Sequence, residues 1–225
     1  MELPTKYLEL KREVETYYDE FQSDEKIKSK TDKYYKGIQI MFSPLIIRPK
    51  VMFIGINPGA GFFNTNNRHV KRFSPLENSE YLKGEYRLAQ QTKKLFEKAS
   101  LTIDDLKNSV KSNCFFFATK NEKELLQFLS HLKPTKVYNK SEKWINELVS
   151  IIQPEIIICE GKSAFERFTR GKDCEFKIEK NVLYAKWNNI DIIGYKRNFS
   201  NIIDLKKVAE KLEIINKNIV LQHRI

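Results

Sequence analysis

Short apolar segments alternate along this chain with longer segments of helical periodicity, and this alternation limits the possible folds more than any other feature. Three of the apolar segments are Val51–Gly55, Glu155–Cys159 and Ile190–Gly194. Buried strands that alternate with helices are typical of a mostly parallel sheet covered on both faces. The sequence therefore predicts an α/β fold, a single-domain three-layer αβα sandwich with a central, mostly parallel sheet.

The N-terminal segment has the periodicity of an amphipathic helix. Its large apolar residues recur at steps of three and four, which places them on one core-facing stripe: Leu3, Tyr7, Leu10, Val14, Tyr17 and Phe21. The polar residues 22–37 predict a loop or a frayed helix end. We therefore expect residues 1–37 to form a helix and a polar loop packed on the core, and residues 38–225 to form the α/β domain.

Further elements are predicted from apolar runs and from residues that begin or end helices. The apolar run 114–118 predicts the second strand of the sheet, with Asn113 at its start. Ser141 can cap a helix that carries Trp144 on its apolar face, and Pro154 ends this helix. The other predicted helices span 80–99, 122–132, 161–168 and 205–212, and a predicted hairpin joins 176–178 to 182–187.

The composition favours a polyanionic partner and disfavours several classes of protein. The formal net charge is +11, and residues 1–50 contribute little of it, with 10 basic and 9 acidic groups. Such an excess suits nucleic acid, although a lysine-rich solubilising surface would give the same charge. The chain has no apolar run of membrane-spanning length and no signal peptide, so we expect a cytoplasmic protein without a membrane partner. The three cysteines form no CxxC pair, and we expect neither a metal nor a cofactor.

Ligands of open α/β sheets bind beyond the carboxyl ends of the strands. The predicted loops at these ends are 56–79, 119–121 and 195–202. The first loop opens with Asn57, Pro58 and Gly59, a rigid turn that lets the backbone approach a ligand. The Asn57 amide can orient a water molecule or a polar substrate atom, but it has no titratable proton. The alternative interpretation is a structural turn without chemistry.

Two motifs of this sequence resemble those of the uracil-DNA glycosylase superfamily. The stretch "FIGINPGAG" at 53–61 is similar to the first signature motif of the mismatch-specific and single-strand-selective branches. The stretch "QPEIIICEGKSAFERF" at 153–168 resembles the superfamily's Pro-x-x-Ile-Ile-x-x-x-Gly-x-x-Ala segment. The order of elements agrees from about residue 38 to residue 213. The resemblance implies the superfamily's fold and its reaction, the excision of a base from DNA.

The first motif implies roles for the residues of the turn. Asn57 matches the residue that positions the hydrolytic water against the sugar C1′, and Ile56, Pro58 and Gly59 match the lining of the catalytic turn. Gly59 falls where the uracil-strict branch has a tyrosine that blocks groups on C5 of the base. The resemblance therefore implies a pocket that is open on this side.

Other residues are implied to hold the extruded base. In the superfamily an aromatic residue after the turn stacks on the base, and the candidates here are Phe62, Phe63 and Phe73, of which we favour Phe73. Asn113 resembles the asparagine that reads the edge of the base by paired hydrogen bonds. Its alternative role is to bond its own backbone at the start of a strand.

The second signature motif of the superfamily, His-Pro-Ser or Asn-Pro-Ser, is replaced here by "GYKRNFSN" at 194–201. Lys196 and Arg197 are candidates to replace the missing histidine, to bind a DNA phosphate, or both. Tyr195, Arg197 and Phe199 are candidates for the wedge that fills the gap in the base stack. The alternative is a basic loop without chemistry. We expect DNA contacts from Tyr195, Lys196, Arg197, Asn198 and Ser200.

The combined expectation is a monomeric, monofunctional DNA glycosylase without a cofactor. It would extrude a uracil-like or modified pyrimidine from double- or single-stranded DNA and leave an abasic site. A modified base of phage DNA is one candidate substrate, which would make the protein an antiviral defence enzyme. The alternatives are a catalytically inactive nucleic-acid-binding protein with the same fold and a hydrolase of small nucleotides.

Overall fold

The computed structural model describes residues 3–59 and 70–222, and its architecture is mixed α/β. The helices are α1 (Thr5–Ser23), α2 (Glu25–Thr31), α3 (Glu80–Lys83), α4 (Arg87–Lys98), α5 (Ile103–Lys107), α6 (Glu122–His131), α7 (Pro134–Ile152), α8 (Lys162–Thr169) and α9 (Leu205–Gln222). The strands are β1 (Gly37–Gln39), β2 (Val51–Gly55), β3 (Val70–Arg72), β4 (Val110–Asn113), β5 (Phe117–Ala118), β6 (Ile156–Cys159), β7 (Glu175–Glu179), β8 (Val182–Trp187), β9 (Ile190–Tyr195), β10 (Arg197–Asn198) and β11 (Asn201–Ile202).

The central sheet has six strands in the order β4-β2-β6-β9-β8-β7. Parallel pairing joins β4, β2, β6 and β9, and the hairpin of β7 and β8 continues the sheet in antiparallel pairing. The predicted mostly parallel sheet is therefore confirmed. A smaller sheet has the strand order β3-β1-β5.

Apolar clusters cover both faces of the central sheet. Successive side chains of a strand point to opposite faces, so Met52 and Ile54 of β2 enter one cluster while Val51 and Phe53 enter the other. The first cluster includes buried residues of α1, α6, α7 and α8, and the second includes residues of α4, α5 and α9. This arrangement is compatible with the predicted three-layer sandwich.

The predicted N-terminal helix is present as α1, and its apolar stripe packs against the core. The ring of Tyr17 contacts that of Trp144 on α7 at 5.4 Å between centroids, and the ring of Phe21 lies 5.8 Å from that of Phe117. The polar segment after α1 is more ordered than predicted, because Asp24 accepts hydrogen bonds from two backbone amides and caps α2.

Several predicted boundaries are wrong, and one of them changes the interpretation of the site. The strand beside β2 is β4 at 110–113, so Asn113 ends this strand rather than starting it. The predicted helix 80–99 is divided into α3 and α4. Helix α7 begins at Pro134, whose missing amide hydrogen is tolerated in a first turn, and Ser141 is buried within it. Helix α9 continues ten residues past its predicted end at Leu212.

None of the helices within the described ranges is long and apolar enough to cross a lipid bilayer.

Candidate active site at the carboxyl edge of the sheet

A cavity of about 620 Å³ lies where the parallel strands β2, β4 and β6 end. Its walls include the predicted residues Ile56, Asn57, Pro58, Gly59, Asn113, Arg197 and Ser200. A second cavity of about 450 Å³ adjoins the first and shares Ile56, Glu122, Glu160 and Arg197 with it. The fold therefore brings residues from three distant parts of the sequence to one edge of the sheet, as predicted for an α/β protein.

The turn after β2 is held by hydrogen bonds to the segment after β4. The amide of Cys114 donates to the carbonyl of Gly55 at 2.8 Å, that of Phe115 to Ile56 at 3.0 Å, and that of Thr119 to Pro58 at 3.3 Å. These bonds extend the pairing of β2 and β4 past the ends of both strands. The turn is therefore a fixed part of the scaffold.

The side-chain amide of Asn57 is oriented by three acceptors. Its Nδ2 donates to the carbonyl of Pro58 at 3.0 Å, to the carbonyl of Phe117 at 3.3 Å and to Oγ1 of Thr119 at 3.0 Å. The Thr119 hydroxyl can accept this bond because its own hydrogen is donated to the carbonyl of Asn121. No residue in the described ranges donates to Asn57 Oδ1, so this oxygen is the atom that can accept a hydrogen from a water molecule.

Asn113 is buried at the bottom of the cavity, beside Gly55. A Cβ atom at position 55 would lie 2.3 Å from Oδ1 of Asn113, which is closer than real Cβ contacts allow. The same point lies 3.5 Å from Oε2 of Glu160. Gly55 of the first motif therefore makes room for the Asn113 side chain, and Glu160 lies close to the same point at the end of β2.

A buried ionic cluster, which the sequence did not predict, forms one wall of the cavity. Lys111 lies two residues before Asn113 in β4, so both side chains project from the same face of the sheet. The Lys111 ammonium contacts Oε1 of Glu80 at 2.6 Å and Oε2 of Glu160 at 3.1 Å, and it also bonds the hydroxyl of Tyr81. Two carboxyl groups therefore share one buried ammonium.

The carboxyl group of Glu160 has a pKa well above its ordinary value. Burial raises its pKa to about 8; Arg197 opposes this rise, and Glu80 adds to it. Burial removes water from both forms of the carboxyl group, and this loss costs the charged form much more free energy than the protonated form. Glu160 therefore holds a proton near neutral pH, and the nearby Lys111 remains paired with Glu80.

The loop after β9 contains both exposed and buried residues. Lys196 and Arg197 line the second cavity, and the Arg197 side chain passes over Gly161, whose φ of +121° suits a residue without a side chain. Asn198 is exposed in β10, and Ser200 lines the first cavity. Tyr195 is fully buried in the core, which contradicts the predicted contact of this side chain with DNA.

The aromatic residue that stacks on a base is not found where the sequence placed it. Phe73 packs against the core, with its ring 6.1 Å from that of Tyr18, and its carbonyl accepts a hydrogen bond from Tyr7. This position disagrees with a stacking role. Phe62 and Phe63 lie outside the described residues.

Comparisons with known proteins leave the family open. The chain matches no model of a known protein family, and no curated protein is similar to it. Within residues 3–59 and 70–222, no three histidine, cysteine or acidic side chains group in a way that could hold a metal ion.

The residues that the sequence analysis missed are Glu80, Lys111, Thr119 and Glu160. A signal existed for two of them, because Glu160 directly follows the apolar run of β6 and Lys111 interrupts an otherwise uncharged segment. Ionisable residues at such positions are either paired or functional. The pairing itself could not be read from the sequence, since its members are separated by 31 and 49 positions.

We predict that Glu160 makes the protein less stable as the pH rises. Its ordinary pKa is 4.5 and its pKa in the fold is about 8, so the native state keeps a proton that the unfolded state releases between these values. The free energy of unfolding should therefore fall through this window, by about 5 kcal/mol at most, and level off above it.

Urea unfolding between pH 4.5 and 9 measures this slope. The change Glu160→Gln should remove this contribution, whereas Glu166→Gln, on the exposed part of α8, should retain it. An identical pH dependence in wild type and Glu160→Gln would show that Glu160 titrates normally.

Proposed function

We propose that this protein is a monofunctional DNA glycosylase of the uracil-DNA glycosylase superfamily. It would extrude a uracil-like or modified pyrimidine and hydrolyse the glycosidic bond, leaving an abasic site. The observation that carries the proposal is Asn57, whose amide nitrogen is oriented by three hydrogen-bond acceptors in the wall of a cavity of about 620 Å³. We further infer that it acts as a cytoplasmic monomer without a cofactor.

The proposed chemistry follows from the arrangement around Asn57. The base would enter the cavity beside Asn113, and the sugar C1′ would lie at the turn. As the glycosidic bond lengthens, positive charge develops on the sugar, and a water molecule held by Asn57 Oδ1 would attack C1′. An amide can orient this water without removing its proton beforehand, because a cationic sugar reacts with neutral water.

A covalent mechanism through a lysine is disfavoured by the contacts of Lys111. This lysine lines the cavity, but its ammonium is engaged by two carboxyl groups and a tyrosine hydroxyl. A lysine nucleophile needs an amine that is free to approach the sugar C1′, and these three contacts hold the Lys111 amine in the wall of the cavity. Lys111 is therefore disfavoured as the nucleophile of a lyase step, which supports the proposal of a hydrolytic enzyme.

The loop after β9 is suited to contact DNA. Phe199 is 91% exposed at the turn between β10 and β11, and its φ is +52°, a value that is rare for residues other than glycine. An exposed aromatic side chain in a strained turn next to a cavity fits the wedge that fills the place of an extruded nucleotide. Lys196 and Arg197 flank the cavity beside it and would bind phosphates.

The size of the cavity supports a modified base as substrate. A Cβ atom at Gly59 would have no atom of the described residues within 4 Å, which supports room for a substituent where a strict uracil enzyme would have a blocking side chain. A phage pyrimidine with a large substituent on C5 fits this opening. We therefore include a role in defence against phage in the proposal.

The direct test of the proposal is mass spectrometry of the free bases that the protein releases from a panel of modified DNAs. Asn57→Ala should reduce turnover by orders of magnitude and leave DNA affinity nearly unchanged, because the amide acts in the transition state. The matched control is Asn108→Ala, an exposed asparagine that precedes β4 at the opposite edge of the sheet. Retention of DNA without release of any base would favour the inactive binding protein instead.

The loop after β9 yields a separate prediction. Neutralising both Lys196 and Arg197 to glutamine should weaken binding to every sequence and reduce the salt dependence by about two units, one for each lost phosphate contact. The control pair is Lys98 and Lys107, which are exposed on elements that lead into the start of β4. Binding titrations over a range of salt concentrations measure both slopes, and equal slopes would place this loop away from the DNA backbone.

The open wall at Gly59 yields a prediction about specificity. Gly59→Tyr should fill the space for a substituent on C5, so release of a large modified pyrimidine should collapse while any activity on uracil survives or rises. Gly59→Ala adds little volume and serves as the control. Competition between the two bases in one reaction measures the preference. If wild type prefers plain uracil and Gly59→Tyr leaves that preference unchanged, the argument for a large base is wrong.

A further inference from the structure

In the proposed reaction, the leaving base needs a group that stabilises its negative charge, and the second motif provides none. Bond cleavage leaves an electron pair on the base, and the loop "GYKRNFSN" lacks the histidine that the superfamily has near this charge. Arg197 can donate hydrogen bonds but does not give up a proton, and its side chain is exposed. A transferable proton must therefore come from another group of the cavity.

Glu160 is placed to be this group. Its backbone amide donates to the carbonyl of Ile54 at 2.9 Å, which fixes it directly after β6 at the carboxyl edge of the sheet. The residue lines both cavities although it is only 3% exposed. Oε2 contacts Lys111, while Oε1 is buried and has no hydrogen-bond partner among the described residues. A buried polar atom without a partner is unfavourable, and a ligand atom in the cavity would relieve this.

We propose that Glu160 is the general acid of this site and gives a proton to the pyrimidine as the glycosidic bond breaks. The inference rests on the proposed glycosylase function.

The charges around Glu160 favour the acid form. The groups that face it are Lys111 from β4, Glu80 from α3, Arg197 from β10 and Tyr195 from β9. The buried Lys111 can balance one carboxylate, and it lies closer to Glu80, at 2.6 Å, than to Glu160. Burial then leaves the second carboxyl group protonated, with a pKa of about 8.

The position of Glu160 relative to Asn113 places the acid at the edge of the base. Oδ1 of Asn113 and Oε2 of Glu160 both lie within 3.5 Å of one point, the place of a Cβ at Gly55. A pyrimidine read by Asn113 would therefore also lie near the Glu160 carboxyl group. The other carboxyl group shared by the two cavities, Glu122, is exposed and accepts a hydrogen bond from Ser163.

The step balances without a co-reactant other than water. The bond between C1′ and N1 breaks, and its electron pair moves into the base, where O2 takes the proton of Glu160. The Glu160 carboxylate that results lies 3.1 Å from the Lys111 ammonium. Water held by Asn57 then bonds to C1′ and releases one proton to solvent, and Glu160 regains a proton from solvent. The products are a neutral base and an abasic sugar.

Single-turnover rates of base release between pH 5 and pH 9.5 test the proposal. The wild-type rate should fall above about pH 8, as Glu160 loses its proton. Glu160→Gln should be slower by about 100-fold or more at pH 7 and should lack this fall, with DNA affinity nearly unchanged. Glu166→Gln should keep the wild-type rate and profile.

A comparison of leaving groups separates proton transfer from a structural role. A 5-fluoro substituent makes the departing base a weaker base, so it needs less help from an acid. The rate of Glu160→Gln should therefore be closer to the wild-type rate on the 5-fluoro form of whichever base is released. The fall of the wild-type rate above pH 8 should also be smaller on this form. This second measurement uses wild type alone and does not depend on the variant being folded.

The outcomes distinguish this inference from the proposed function. If wild type releases a base while its rate stays constant above pH 8 on both forms of the base, Glu160 is not the acid and the glycosylase proposal stands. Full turnover of Glu160→Gln would lead to the same conclusion. If wild type releases no base from any DNA of the panel, the glycosylase proposal is overturned, and the acid role falls with it.

Discussion

The parallel pairing of β2 between β4 and β6 is the constraint on which the rest of the molecule depends. The register sets Gly55 beside Asn113 and Ile54 beside Cys159, so the residues that follow these strands emerge at one edge. Parallel strands have all their carboxyl ends on the same side, and the connecting helices cover the two faces. The cavity lies at this edge because both faces of the sheet are occupied by the core.

The same pairing explains why the turn at Asn57 is rigid. Hydrogen bonds between the two chain segments continue beyond Gly55 and Asn113, and an isolated parallel bridge joins Gly59 to Thr119. The Asn57 amide takes its acceptors from this extended pairing, so its orientation is set before any ligand arrives. Preorganised polar groups of this kind are effective in catalysis because they need no rearrangement during the reaction.

Buried charge distinguishes this site from a generic pocket in an α/β protein. Placing two carboxyl groups and one ammonium in the wall of a cavity is unfavourable unless they are paired or neutralised. The cluster of Glu80, Lys111 and Glu160 satisfies this requirement with one ion pair and one retained proton. Apolar residues could fill a purely structural role, so the buried charges favour a chemical role for this cluster.

The sequence by itself determined the alternation of strands and helices, the apolar face of α1 and the turn at Asn57, because these depend on periodicity and on local backbone chemistry. It placed the strand of Asn113 four residues late, because the apolar run 114–118 is buried by tertiary packing and not by the central sheet. Only the tertiary structure decided that Tyr195 is buried in the core and that Phe73 packs against it, since burial depends on the neighbours that distant segments supply. The tertiary structure alone brought Lys111 to Glu80 and Glu160. Strand register decides which charges far apart in the chain become neighbours, and no local sequence pattern encodes this register.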